Sequence, residues 1–213
     1  LAAAKRAASL GAKVVIVEGG QIGGTCVVRG CVPKKLLVYG SLYKEHFENA
    51  ESFGININDM QIDTASLLKN VREEVFRLTN LHEKFLKEAG IKIVRGWAEF
   101  RSPNSILVTD SIKPDEKTIL YGKKILIAVG GRPVKPNIEG FNKGWVSDDM
   151  FLLDKFPQKI VVVGAGFIAC EFSCLLRNLG VNVIHLVRGD RLLKGFDSEI
   201  SHVLQEEMIK KGI

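Results

Sequence analysis

The stretch Gly23-Gly24-Thr25-Cys26-Val27-Val28-Arg29-Gly30-Cys31-Val32-Pro33-Lys34-Lys35 brings two cysteines, paired glycines and paired lysines into one short segment. On a regular helix, cysteines five positions apart are separated by roughly 7.5 Å of axial rise alone, beyond the usual disulfide reach of about 4.4 to 6.8 Å between α-carbons. If Cys26 and Cys31 bond, the segment must leave regular helix geometry, and Gly30 makes that easier. Pro33 suits the first turn of a helix continuing through Leu36 and Leu37, which sets Cys31 near a helix amino terminus that favours a thiolate. Lys34 adds a positive charge one turn on. From the residues alone a redox-active disulfide, a structural disulfide, a zinc half-site and two unrelated buried cysteines are all readings of this pair. Structural bridges usually close longer loops, and a zinc site needs more ligands than the segment supplies. Cys170 and Cys174 fall at helical spacing in an apolar segment and read as small core residues, so no metal site is expected.

The segment resembles the active-site stretch of the FAD-dependent pyridine nucleotide-disulfide oxidoreductases, which share the pattern GGTCxxxGCxPxK. Its CVPKK ending is similar to the glutathione reductase branch, and VVRGCVPKKLLVYG to the plant and cyanobacterial type within it. The resemblance covers essentially the whole chain. It implies an α/β fold with two Rossmann-like nucleotide-binding domains of the three-layer ββα type, the first with a β-meander insertion. Both are expected to be truncated, with residues 1–145 binding FAD and residues 158–213 binding NADPH. It further implies a Cys26–Cys31 redox disulfide, glutathione disulfide as substrate, and a homodimer with a composite active site. The family's acid/base histidine would lie outside these residues.

Bulk properties bound the rest. With 213 residues and 46% of them hydrophobic, the chain has core material for one large or two small domains. No run approaches the ~20 consecutive apolar residues of a membrane span. The net charge of +6 is scattered rather than clustered, which argues against a nucleic-acid arm and mildly favours anionic ligands. Four cysteines in a chain this long do not make a secreted disulfide scaffold, so a reducing compartment is expected, cytoplasm or an organelle stroma.

Leu1 to Leu10 is alanine-rich and helical, Gly11 ends it, and Val14 to Val17 is a strand run closed by Glu18. This is the second half of a βαβ unit whose first strand and Gly-rich turn are expected to precede residue 1. At the strand end Glu18 can accept hydrogen bonds from a ribose diol, by resemblance that of FAD, or simply be solvated. Lys5 and Arg6 read as a solvated face. The resemblance puts Lys5 where an arginine holds a glutathione carboxylate, and lysine keeps the charge without the bidentate fork.

Thr64 to Ala89 reads as one long helix, its apolar stripe formed by Leu68, Val71, Val75, Leu78, Phe85 and Ala89. His82 falls on that stripe, as a core residue or, by resemblance, in the place of a tyrosine in the disulfide-substrate cleft. Short β segments follow at Ile91 to Phe100, Ser105 to Thr109 and Thr118 to Tyr121, resembling the inserted meander. The resemblance sets Gly24, Thr25, Cys26 and Lys34 around FAD and brings main-chain groups of Gly96-Trp97-Ala98 to its adenine. Lys124 to Val129 is expected as a buried strand whose end at Gly130-Gly131 passes close to FAD. Gly140 to Pro157 reads as the crossover between domains.

Lys159 to Arg188 reads as a complete βαβ unit, with strand Ile160 to Val163, turn Gly164-Ala165-Gly166-Phe167-Ile168-Ala169, a helix to Leu179-Gly180 and strand Val181 to Val187. The two turn glycines let main-chain amides, including that of Ile168, approach a pyrophosphate drawn to the helix amino terminus. Val187 stands where a ribose-binding acid would sit and Arg188 follows, so the unit should prefer NADPH over NADH. By resemblance Lys194 replaces a second phosphate-binding arginine, with Arg191 as an assistant or a plain surface residue. The resemblance also pairs Glu171 with Lys34 beside the flavin and nicotinamide, and sets Phe167 where a tyrosine covers the flavin. Asp197 to Lys211 reads as a capped helix stopped by Gly212.

Within the enzyme class the alternatives are thioredoxin reductase and trypanothione reductase. Outside it, they are a nucleotide-binding module without turnover and a cysteine-based metal or redox sensor.

Overall fold

Gly96 divides the β-rich middle of the chain, which the sequence presents as a single segment from Ile91 to Phe100. Its φ of 151° is closed to residues with side chains, and a Cβ there would lie 2.4 Å from the carbonyl oxygen of Thr109. In the computed structural model, which describes residues 1–57 and 59–213, β1 (Val15–Glu18) pairs in parallel with β2 (Lys92–Arg95) on one side of this break. On the other side β3 (Trp97–Ser102), β4 (Ser105–Thr109) and β5 (Lys117–Tyr121) form an antiparallel meander. Strand propensity was legible on both sides of Gly96. The change of sheet was not, because it depends on which backbone passes alongside.

These strands belong to the first of two compact units, Leu1–Val32 with Glu73–Val134. Helix α1 (Ala2–Ser9) lays Ala4 and Ala8 against a small core of Ile22, Leu86 and Ile91, with Val14, Ile16 and Ile93 from the strands. Helix α2 (Gly24–Arg29) belongs to the same unit.

The second unit joins Pro33–Arg72 to Lys135–Ile213. It holds all but the opening residues of α3 (Cys31–Ala50), the start of α4 (Thr64–Glu88), and the sequence β6 (Lys159–Val163), α5 (Phe167–Asn178), β7 (Asn182–Leu186) and α6 (Ser198–Lys210). β6 and β7 are parallel, so the βαβ reading holds, with Gly180 in the left-handed turn between helix and strand. Asp197 caps α6 by accepting from the amides of Glu199 and Ile200 at 2.9 and 3.1 Å, and Gly212 follows its end at φ 81°. The core of this unit gathers Leu37 from α3, Leu68 and Val71 from α4, Phe151 from the crossover and Phe172, Leu175 and Leu176 from α5.

Two expectations are corrected. Phe85 is 41% exposed and Ala89 is also exposed, whereas Leu86 is 1% exposed. At about 100° per residue, eleven positions return Leu86 to within about 20° of Val75, while Phe85 lies about 80° off that stripe. Lys124 to Val129 forms no strand, and Leu126 and Val129 are 72% and 88% exposed. An apolar run becomes a strand only when a neighbour accepts its backbone hydrogen bonds, and no described strand lies beside it. Two full Rossmann sheets are not formed among the described residues, and none was expected of truncated domains. The described residues form a mixed α/β arrangement with small sheets, two parallel pairs and one three-stranded meander.

Ser173 on α5 is 0% exposed, and its hydroxyl has no hydrogen-bond partner. Replacing it by alanine removes an unsatisfied donor at little packing cost. Ser173→Ala is therefore expected to leave stability unchanged or raise it by about 1 kcal/mol in urea unfolding. Leu176→Ala beside it should lose about 2 to 5 kcal/mol by opening a cavity.

Candidate functional site

The first unit carries the cysteines. Gly23 and Gly24 both have positive φ, at 136° and 68°, and turn the chain from the end of β1 into α2. That helix stops after Arg29, Gly30 takes φ −145° and ψ −117°, and α3 opens at Cys31. A Cβ on Gly30 would stand 2.8 Å from the carbonyl oxygen of Thr25, so only glycine lets the two helices meet at this break. The departure from helix geometry that a Cys26–Cys31 bond would require is thus present. Cys26 on α2 and Cys31 at the head of α3 are both exposed thiols.

The same unit holds Glu18, Gly24, Thr25, Ala98 and Gly130, also read as flavin contacts, whereas Lys34 belongs to the second unit. Glu18 ends β1 half-buried, its Oε1 accepting from the Gly20 amide at 2.8 Å. A Cβ on neighbouring Gly19 would lie 2.6 Å from the ring of Trp97, which explains the glycine beside that carboxylate. Thr25 is exposed on α2, Ala98 is exposed on β3 opposite Val108, and Gly130 sits at φ 70° in the exposed run. Lys5 on α1 and His82 on α4 are each half-buried.

The second unit brings together residues 137 positions apart. Lys34 Nζ in the first turn of α3 donates to Glu171 Oε1 on α5 at 2.5 Å, with side-chain exposures of 20% and 40%. A cleft of about 350 Å³ is lined by this pair with Phe167, Val38, Leu42, Cys170 and Cys174. Burial pushes both Cys170 and Cys174 thiols above their ordinary range. Cys170 is buried as expected, but Cys174 is only half-buried and faces this cleft.

At the amino end of α5, Gly164 takes φ 135°, Gly166 is the N-cap, and no atom lies within 4 Å of where a Cβ on Gly166 would stand. Ala165 accepts from the Leu193 amide at 2.7 Å, and Ile168 lies in the first turn of the helix. Val187 packs into the apolar cluster of Cys170, Leu192 and Met208, while Arg188 and Lys194 are exposed.

Two tethers were not anticipated. His185 Nε2 lies 2.6 Å from the carbonyl oxygen of Gly164 and so ties β7 to the glycine turn. Alternation along β7 sets His185 on the same face as buried Val183, a signal from which its inward position could have been read. Arg95 at the end of β2 pairs with Glu83 on α4 and donates to the Gly20 carbonyl at 2.8 Å. No local pattern announces that pair, since its members come from different elements.

Residues 1–213 match the family described as pyridine nucleotide-disulphide oxidoreductase. The chain is 42% identical over 213 residues to a glutathione reductase of Nostoc sp., covering 100% of this chain and 45% of that protein. It is 41% identical over 211 residues to a glutathione reductase of Burkholderia cepacia, covering 99% of this chain and 45% of that one. A glutathione reductase of Debaryomyces hansenii is 36% identical over 228 aligned residues, 97% of this chain and 46% of its own length. The chain therefore spans a little under half the length of these curated relatives. Its broken helix between two cysteines, its glycine turn opening α5 and its match from end to end agree, and the chain belongs to the pyridine nucleotide-disulphide oxidoreductase family.

Proposed function

We propose that this chain is part of an NADPH-dependent, FAD-containing reductase of glutathione disulfide, with residues 1–145 serving FAD and residues 158–213 serving NADPH. The observation that carries the reading is the Lys34–Glu171 ion pair, which ties the lysine following the cysteine segment to the helix opened by the glycine turn. Both nucleotides fit the residues present. Glu18 offers a carboxylate at a strand end for a ribose diol, and the open backbone around Gly166 can approach a pyrophosphate. Arg188 and Lys194 are available for a 2′-phosphate, with no acid at position 187 to repel it.

When bound, the two nucleotides would supply the electron pair that keeps Cys26 and Cys31 reduced. Cys26 then acts as the interchange thiol. As a thiolate it attacks one sulfur of glutathione disulfide, and the first glutathione leaves with a proton from a general acid outside this chain. Cys31 attacks the mixed disulfide, releases the second glutathione and leaves a Cys26–Cys31 bond. Lys34, held by Glu171, stabilises negative charge that develops beside it during reduction. Lys5 and His82 are assigned to the disulfide substrate, and a homodimer completes the site.

The test is anaerobic titration of the full-length protein with NADPH, followed by glutathione disulfide. Flavin absorbance should bleach and then return on adding the disulfide. A colourless protein, or a bleached flavin that only oxidised thioredoxin restores, would overturn the assignment. Arg188→Leu is expected to raise KM for NADPH about 10- to 100-fold and leave that for NADH unchanged, because charge-assisted hydrogen bonds contribute about 1.5 to 3 kcal/mol. Steady-state kinetics with both nucleotides checks it.

A further inference from the structure

Cys170 and Cys174 stand one helical turn apart on α5 and line the same cleft as Lys34, Glu171 and Phe167. Residues at this spacing share a helix face with Cβ atoms about 5 to 6 Å apart, close enough for both sulfurs to reach one bound atom. We propose that these thiols form a second dithiol site, separate from Cys26 and Cys31, that takes a soft, thiophilic ligand of the monosubstituted trivalent arsenical class.

The surroundings select that chemistry. The cleft has room for a small aryl group, at about 350 Å³ with Val38 and Leu42 among its walls. Burial holds both thiols above their ordinary range, so they are kept in the neutral, protonated form. A divalent cation would need desolvated thiolates and further ligands, and the described residues offer no cluster of three or more cysteine, histidine or acidic side chains. An arylarsenous acid makes no such demand. Each thiol proton leaves with one arsenic-bound hydroxyl as water, two As–S bonds replace two As–O bonds, and arsenic stays trivalent, so no charge is buried. The ligand would then sit beside Glu171 and Phe167 and disturb the Lys34–Glu171 pair.

The experiment uses the full-length protein carrying Cys26→Ala and Cys31→Ala, so that the other dithiol cannot compete, with phenylarsine oxide as probe. Intact-mass measurement should show an adduct that survives washing with excess 2-mercaptoethanol and is removed by 2,3-dimercaptopropanol. Adding Cys170→Ser and Cys174→Ser should lower the adduct count by one per chain. Cys174→Ala alone, at the half-buried position and so the gentler change, should make that adduct sensitive to the monothiol. A count that does not change when both residues are replaced, or a resistant adduct that survives Cys174→Ala, overturns the proposal. Because the readout is mass rather than turnover, it stands or falls independently of the substrate assigned above.

Discussion

Cys26→Ala in the full-length protein is expected to leave flavin bleaching by NADPH at the wild-type rate while turnover with glutathione disulfide falls by about 10³-fold or more. Two sulfurs at one helix break would divide the labour between them. Cys26 is exposed on the short helix α2, and Cys31 heads α3 across Gly30. If Cys26 is the nucleophile, removing it takes away the only route to the mixed disulfide, and no binding interaction can compensate. Cys31→Ala should fail differently. Cys26 can still attack, but nothing resolves the product, so one glutathione per chain should accumulate and be visible by intact mass. Flavin content measured alongside separates these outcomes from misfolding. Accumulation on Cys31 in the Cys26→Ala protein, or turnover unchanged by that substitution, would reverse or sink the assignment.

Gly96→Ala is expected to cost about 4 kcal/mol of stability, the largest effect of a single methyl in the first unit. Two penalties coincide there. The backbone sits at φ 151°, which costs a side-chain residue about 1 to 3 kcal/mol. The added carbon would also lie 2.4 Å from the Thr109 oxygen and 2.7 Å from Val108 Cγ1, an overpacking cost of about 1 to 3 kcal/mol. Relief requires separating β3 from β4 at Trp97–Thr109, their first pair. Gly131→Ala is the control, because nothing lies within 4 Å of its Cβ position and its φ is not in the left-handed range. That change should fall within about 0.5 kcal/mol of wild type. Urea unfolding of both variants checks the pair, and equal midpoints would mean that Gly96 does not divide the strands.

The sequence by itself determined the features whose causes lie within a few residues. The break between the cysteines falls at the glycine of position 30, where the sequence makes a departure from helix geometry easier. The βαβ run from Lys159 to Leu186 follows from apolar runs on either side of a glycine turn, and the start of α6 from the Asp197 cap. The Lys34–Glu171 pairing came from resemblance alone, since no periodicity links residues 137 apart, and it took the folded chain to bring them to 2.5 Å. Only the tertiary structure decided that Leu86 rather than Phe85 is buried, that the strand run divides at Gly96, and that Lys124 to Val129 stays unpaired. It also decided that Cys170 and Cys174 share a cleft with that ion pair. The physical reason is common to all four. Local propensity sets what a segment can become, but its exposure and its hydrogen-bond partners are set by whichever distant backbone comes to lie beside it.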